Sequence, residues 1–412
     1  MILPSAVAED HKSQPTRKFW LHDLVLGLLP LLIGFEVLLA FLYVPPALHG
    51  LDDFRQLYVG GYMIRTGHAR ELYDYDAQQR FQDTVVPVGK HDPLIISHLA
   101  YEELLFVPLS LFPYKVAYWM FMAFNGALLV LCVGLLRHRL RVLPDWLPVL
   151  LIPAFFPISR TLEKGQDSII ILTLLAAALW TLDHEKEFVA GLLVGIGIVK
   201  FQIVIPIALL FLLWRRWSFS VGLAVSSVAA GLVSLWLVGL GGARGYAHML
   251  LSMSVRLTSE TDMRRYTTNP NMMINLRGLF SAIFDGKLPH GYIQFLVAAC
   301  SIVVLLVAAR QRPSLPLAIV AASLVSYHFI VHDASILIIV IAAALCSGSA
   351  WNGAVAVLLL IAPFCAVIPI HDYLAAIPLL GLFLLMVRRV SRPIEFTAVS
   401  CQNAIAEGHP TS

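Results

Sequence analysis

The sequence is poor in charge. Only 13% of its 412 residues are Asp, Glu, Lys or Arg, against 58% hydrophobic residues and a mean hydropathy of +0.78. Soluble domains carry about 25% charged residues, so this composition excludes a soluble enzyme or adaptor. A basic face is missing too. The net charge is +3, and Lys and Arg gather at the ends of apolar runs, where they set topology; nucleic acid is therefore excluded as a partner. Among the five cysteines, Cys132, Cys300, Cys346 and Cys365 lie in apolar runs and Cys401 near the end, without metal-ligand spacing, so neither a zinc site nor a disulfide framework is expected. There is no Gly-rich phosphate loop, so neither a bound nucleotide nor another cofactor is expected. The polar start, MILPSAVAEDHKSQPTRK, has no apolar region of its own, and the first apolar run reads as a retained span.

What the chain has instead is apolar length, at roughly 20 residues per crossing. The first run, Trp20–Val44, follows Lys12, Arg17 and Lys18, which puts the N-terminus in the cytoplasm. Further runs cover 104–136 (broken by Pro108 and Pro113), 143–158, 168–182, 219–240, 292–309, 315–331, 334–345, 354–370 and 375–387. The expected fold is an all-α polytopic bundle of about 12 transmembrane helices. Residues 1–19 and 390–412 would be cytoplasmic tails around a membrane domain at 20–389, with outer loops at 45–103 and 241–290. All the short inner connections except 347–353 carry Lys or Arg. No two-fold repeat of spans is visible, in contrast to many secondary transporters.

One apolar run holds a lysine at its centre. FVAGLLVGIGIVKFQIVIPIALLFLLWRRW has cytoplasmic-type charges at both ends, so it reads as a hairpin of two short arms with Lys200 at the tip. An ionisable residue at such a depth marks a functional site; the bland alternative is a side chain that snorkels to the interface.

The other notable stretch is GLDDFRQLYVGGYMIRTGHARELYD. Asp52 and Asp53 stand directly behind the first span, on its outer side. After them the apolar positions Phe54, Leu57, Tyr58, Gly61 and Tyr62 recur at helical spacing, which predicts an amphipathic helix in the membrane interface. A carboxylate at its start would face substrates delivered at the bilayer surface; alternatively it caps the helix.

The order DFRQLYVGGYMIRTGHARELYD, AYEELLFVPLSLFPYKVAYWMFMAFNGALL, GQDSIIILTLLAAAL, AGLLVGIGIVKFQIVIPIALLFLLWRRW, NLRGLF and SYHFIVHD resembles glycosyltransferase family 87 of the GT-C superfamily. The resemblance runs over residues 20–389. It implies a membrane transferase that uses a polyprenyl-phosphate sugar, with an aspartate of the first outer loop as general base in a single inverting displacement. By the match of the Asp-Phe pair that base is Asp53, with Asp52 beside it as competitor. It also implies a lysine near the leaving phosphate. Lys200 fits that role, although the proline that follows closely in the family is displaced here to Pro206; Arg160, Arg264, Arg265 and Arg277 are further candidates. Gln166, of the Gly165-Gln166 signature, is a candidate sugar ligand or helix-end cap, and His328, His332 and Asp333 are candidate sugar or acceptor contacts. Where the family reads Tyr-Pro-Pro, this chain reads Tyr101-Glu102-Glu103; Tyr101 and Glu102 are candidate acceptor contacts, with solvated surface glutamates as the alternative. His91-Asp92 and His371-Asp372 are only sequence neighbours, too few for a metal site, and the resemblance implies no metal.

The resulting expectation is a hexosyltransferase, with mannose as the first sugar, at the outer (periplasmic) face of the plasma (inner) membrane. Its partners would be a polyprenyl-phosphate sugar, a glycan or glycolipid acceptor, and membrane lipid. Competing readings are a transporter or flippase of lipid-linked sugars, favoured by Glu36 inside the first span, and an oligosaccharide polymerase or ligase.

Overall fold

The computed structural model describes residues 19–86, 93–140, 146–254, 265, 269–346 and 372–388. The span at 354–370, the inner connection 347–353, His91-Asp92, Arg264, His371 and both tails lie outside the described residues. Every regular element among those described is helical, as the apolar runs require: a segment surrounded by lipid must satisfy its backbone groups internally.

The chain starts with α1 (Phe19–Leu48) and enters a loop region holding α2 (Phe54–Arg65), α3 (Tyr75–Val85) and the short α4 (Ala100–Glu103). It then runs through α5 (Tyr114–Leu140), α6 (Leu147–Ala154), α7 (Phe156–Lys164), α8 (Ser168–Asp183), α9 (Glu187–Ile196), α10 (Phe201–Leu213) and α11 (Trp217–Ser254). After a second loop come α12 (Leu276–Phe284), α13 (His290–Ala309), α14 (Leu315–Val325), α15 (Ile338–Cys346) and α16 (Ala376–Arg388). Five helical stretches are long and apolar enough to cross a membrane, and three shorter apolar helices, Ser168–Asp183, Leu315–Val325 and Val331–Ala343, lie among them. The lipid-type faces stay open: Phe41, Val130, Trp236 and Phe295 are exposed.

The stretch Glu187–Leu213 counts as one 27-residue candidate span by length and composition, but its geometry is that of a hairpin. Arg216, just past α10, ion-pairs with Glu187 at the start of α9. A straight helix would hold those ends about 40 Å apart at 1.5 Å per residue. The chain turns through a 3-10 segment, Gly197–Lys200, so Lys200 is at the tip. The first arm, α9, is locked to α11 in parallel. A Cβ on Gly191 or Gly195 would collide with the backbone at Phe219 or Leu223, and one on Gly222 with the Phe188 carbonyl. Ser226 Oγ donates to Leu192 O at 2.8 Å and Ser227 Oγ to Gly195 O at 3.2 Å. Small residues and serine hydroxyls are how helices approach closely when lipid removes the hydrophobic incentive.

The first long loop differs from expectation. Instead of lying on a surface, α2 is enclosed by protein: Phe54 through Gly61 and Met63 are buried. The turns at 104–111 cover it, with Arg65 Nε donating to Ser110 Oγ at 2.9 Å and Tyr58 OH to Phe112 O at 2.9 Å. The loop has its own core, built on Phe54, Leu57, Val59, Met63, Leu72, Phe106 and Phe121 and separate from the core of the helix bundle. Gln78 and Gln82 of α3 replace strand pairing: each side-chain amide receives a backbone N–H and donates to a carbonyl in the segment 72–96.

Candidate active site

Asp53 is oriented by its neighbour. Phe54 is fully buried in a cage of rings from Tyr58, Phe106, Tyr114, Tyr118 and Phe121, with centroids 5.4–6.5 Å away. Fixing Phe54 fixes the start of α2, and Asp53 with it. Asp53 occupies the N-cap position but makes no side-chain cap hydrogen bond, so the capping alternative fails there; Asp74 does cap α3, accepting from Ala77 N at 2.7 Å. The carboxylate of Asp53 is thus left for other work, and its side chain retains 20% exposure.

The Gly165-Gln166 signature abuts this point. Gly165 ends α7 in the left-handed conformation (φ 65°), a position that favours glycine. A Cβ there would also lie 2.6 Å from Phe54 Cβ. The turn presents Lys164 and Gln166 to the aspartates: Lys164 Nζ is 3.8 Å from Asp52 Oδ1 and 3.6 Å from Asp53 Oδ2, and Gln166 hydrogen-bonds Asp53. Burial pushes the Asp53 carboxyl up, but Lys164, His332, Gln166 and Lys200 together hold it below the ordinary carboxylate range. Asp52 goes the other way. Burial raises it, Lys164 only partly offsets that, and the Asp53 charge adds to the rise. Of two adjacent carboxyls, the structure keeps Asp53 the more acidic.

Lys200 reaches the same end of the bundle. It is buried, with Nζ 3.0 Å from Asp167 Oδ1 and 3.1 Å from Asp333 Oδ1. The snorkelling alternative is therefore overturned, because the ammonium group points into protein. Asp333 also accepts from Ser168 Oγ and from Ile330 N, both at 3.2 Å, and has His332 Nε2 at 3.8 Å. The ammonium group thus lies between two carboxylates, both within ion-pair distance.

Glu102 and Glu103 are buried, with 7% and 0% exposure, so the solvated-surface alternative for them also fails. His98 Nδ1 stands 2.6 Å from Glu102 Oε2 and 3.9 Å from Asp167 Oδ2. Burial lowers the affinity of His98 for its proton, but Glu102 and Asp167 more than offset this and raise it. Burial pushes the Glu102 carboxyl up to about 7 and Glu103 well above its usual range.

Other candidates are occupied by structural duties. The Tyr101 hydroxyl donates to Ile196 O and accepts from Val199 N at 3.1 Å, fastening the hairpin tip; this removes it as a free acceptor contact. Arg160 donates to Glu163 Oε2 at 2.7 Å and stacks 3.5 Å over Tyr43. Arg277 donates to Tyr327 O at 3.0 Å and lies 4.0 Å over that ring, and Arg265 pairs with Asp76. The NLRGLF motif is a clamp: Asn275 caps α12 by accepting from Gly278 N at 3.1 Å and donates to Ser326 O at 2.7 Å, anchoring the strip that carries His328 and His332. His328 lies in that strip, its affinity for a proton lowered mainly by burial. Glu36 is buried within electrostatic reach of Glu163 and Arg160 on α7, on the Asp53 side of the bundle.

Sequence reasoning missed Asp167, Lys164 and His98. Asp167 stood in the quoted GQDSIIILTLLAAAL stretch and Lys164 directly before it, and His98 precedes Glu102 by four residues, so spacing alone could have raised the pair.

Comparison with known proteins identifies the family of the chain. The model of glycosyltransferase family 87 matches residues 103–338, more than half of the chain. The match covers Gln166, Asp167, Lys200, His332 and Asp333 and stops short of Asp52 and Asp53. The chain is similar to an alpha-(1->3)-arabinofuranosyltransferase of Corynebacterium glutamicum, 28% identical over 155 residues, which are 35% of this chain and 36% of that protein; it thus spans about a third of that relative's length. No solved structure matches. Several apolar helices, a convergent charged site at one end of the bundle and a family model over most of the bundle lead to one conclusion: the chain belongs to glycosyltransferase family 87, the membrane glycosyltransferases.

Proposed function

We propose that the protein transfers a glycosyl unit from a polyprenyl-phosphate donor to an acceptor hydroxyl by one inverting displacement, with Asp53 as general base. The observation that carries this reading is Asp53 itself: a partly exposed carboxylate, free of helix capping and held ionised by Lys164, beside the Lys200 cluster. The acceptor oxygen forms a bond to the anomeric carbon as its proton passes to an Asp53 oxygen. The bond from that carbon to the phosphate oxygen breaks, and the phosphate leaves with the electron pair. A phosphate leaving group needs no general acid, which distinguishes this chemistry from the paired carboxylates of glycoside hydrolysis. It needs positive charge in a partly dry site. The ammonium groups of Lys200 and the half-buried Lys164 supply it, while Arg160 and Arg277 are engaged by their own partners. Gln166, His332 and Asp333 border the space where sugar hydroxyls would lie.

Basic groups at the opposite end of the helices, Arg137, Arg139, Arg215 and Arg216, support placing that end in the cytoplasm and the site at the outer face of the plasma membrane. The acceptor would then be a glycan or glycolipid of the cell envelope. Mannose is the first sugar to test; the arabinofuranosyl activity of the similar Corynebacterium protein puts a pentofuranosyl donor beside it. The test is transfer of radiolabel from polyprenyl-phosphate mannose, and in parallel from polyprenyl-phosphate arabinofuranose, to a membrane extract by the purified chain, its Asp53→Asn variant and its Asp52→Asn variant. Transfer lost only in Asp53→Asn is the expected result. Binding of either donor without any transfer to any acceptor fraction would overturn the catalytic reading, and absence of donor binding would move the protein to the transporter class.

A further inference from the structure

Behind the proposed base lies a buried cluster of side chains, of which the proposed transfer chemistry uses only Lys200 and Asp333. Six ionisable residues, His98, Glu102, Glu103, Asp167, Lys200 and Asp333, are each at most 8% exposed and lie close together. The lysine ion-pairs with both Asp167 and Asp333, so that trio carries one net negative charge before either glutamate is counted. Glu102 then lies within hydrogen-bond reach of Asp167, carboxyl to carboxyl. Two carboxylates approach so closely in a dry interior only with a proton or a cation between them.

Glu103 supplies the second, independent observation. It is fully buried, and neither of its carboxylate oxygens has a hydrogen-bond partner among the described residues. It has been given room: its carboxylate fills the space where a side chain on Gly60 would stand. A buried carboxyl without a partner is among the most costly arrangements a fold can hold, and this one is aimed at the other two ligand-type groups. One donor atom each from His98, Glu102 and Glu103 lies within 4.8 Å of the other two. The spacing is local, because α4 places Glu102 one turn after His98 and Glu103 next to it. Thus the ligands come from one short segment, and α8 adds Asp167 from across the cluster.

We propose that His98, Glu102 and Glu103 bind a divalent cation, with Asp167 at its edge. One imidazole nitrogen with two or three carboxylate oxygens is a donor set for Mn²⁺ or Zn²⁺ rather than for a thiolate-selected metal. The cation replaces the shared proton between Glu102 and Asp167, gives Glu103 its partner and brings the cluster close to neutrality. It also ties the first outer loop to the N-terminal end of α8, so Asp167, and through it Lys200, is positioned by the metal. The metal itself does not enter the transfer step. The site stands whether or not the glycosyl donor is the one proposed above.

The test is metal retention by the full-length chain in detergent. The protein is stripped with EDTA, dialysed against MnCl₂ or ZnCl₂, desalted and analysed by elemental mass spectrometry, with MgCl₂ as a third arm. Wild type is expected to retain one equivalent of Mn²⁺ or Zn²⁺ and to gain thermal stability with added metal, as binding to the folded state requires. Glu103→Gln keeps the shape but removes the charge, and His98→Ala removes the nitrogen. Both are expected to weaken retention by about tenfold or more and to lose the metal-dependent rise in Tm. If one variant does not elute as a monodisperse species, the other decides. No retained metal in wild type in any arm, or equal retention in wild type and the folded variants, would overturn the site and leave a cluster of shared protons.

Discussion

The two ends of α8 each carry an aspartate, Asp167 buried and Asp183 half-buried, about 24 Å apart by the helical rise, and they are solved in opposite ways. At the C-terminal end, Asp183 accepts from Arg139 Nε at 2.9 Å and from Arg139 Nη2, and lies 2.7 Å from His138 Nε2. All three groups belong to α5, the helix packed alongside, and the charges balance. At the N-terminal end, Asp167 shares Lys200 with Asp333 while Glu102 and His98 crowd its other side. The first arrangement is a closed pair that fastens two helices. The second has more carboxylates than cations and draws its members from four parts of the chain. Excess charge that a fold must hold against desolvation marks the place where something else is meant to bind.

Breaking the comparison at the working end has the largest expected effect. Asp53→Asn removes the proposed base and is expected to lower transfer by about 10³-fold, in the range for a positioned general base. Asp52→Asn, measured in the same radiolabel assay, stays within about tenfold of wild type. A loss as large in Asp52→Asn as in Asp53→Asn would reassign the base. Lys200→Met comes next. It lowers kcat/KM by about 10²-fold through loss of charge beside the phosphate, and it leaves Asp167 and Asp333 unpaired, which lowers stability by about 3–5 kcal/mol. Urea or thermal denaturation alongside the assay separates these two effects.

At the closed end, Arg139→Met strips Asp183 of its main partner. Stability is expected to fall by about 3–5 kcal/mol, while transfer per folded molecule stays within about twofold of wild type. A large loss of transfer in the folded Arg139→Met protein would erase the distinction between the two ends. The smallest effect concerns pH. Lys164 is the strongest of the groups that hold Asp53 below the ordinary carboxylate range. The ionised base therefore persists as pH falls and is lost only below that range. Lys164→Met removes the lowering influence, so the acid limb of the kcat/KM profile moves to higher pH, by about one unit. An unchanged limb would mean that Asp53 is not the titrating base.

Much of this site was legible in residue order. Lys200 in an apolar run and an Asp-Phe pair behind a span both reported groups placed where their chemistry is costly, and the charges flanking Phe188–Trp214 anticipated the hairpin that the Glu187–Arg216 pair closes. The capping alternative for Asp53 could not be dismissed from spacing, because a cap differs from an uncapped N-terminal aspartate only in side-chain direction. The interfacial reading of α2 failed for a related reason. Its periodicity reports an apolar face, but the turns at 104–111 that cover the remaining faces are distant in sequence and carry no periodic signal of their own. Tyr101, Glu102 and Glu103 were read as a departure in a loop, whereas one serves the hairpin tip and two serve a buried cluster.

The sequence by itself determined that this is a helical membrane protein and which segments are apolar enough to enter lipid, because hydrocarbon penalises charge and unpaired backbone wherever they occur along the chain. It also determined the local devices: glycine at the left-handed end of α7, asparagine at the start of α12, and small residues between α9 and α11. Tertiary structure alone decided which cation meets which carboxylate. Asp53 with Lys164, Lys200 with Asp167 and Asp333, and Glu102 with Asp167 are pairings between distant segments. Their energies depend on separation and burial, quantities that exist only once the helices have packed.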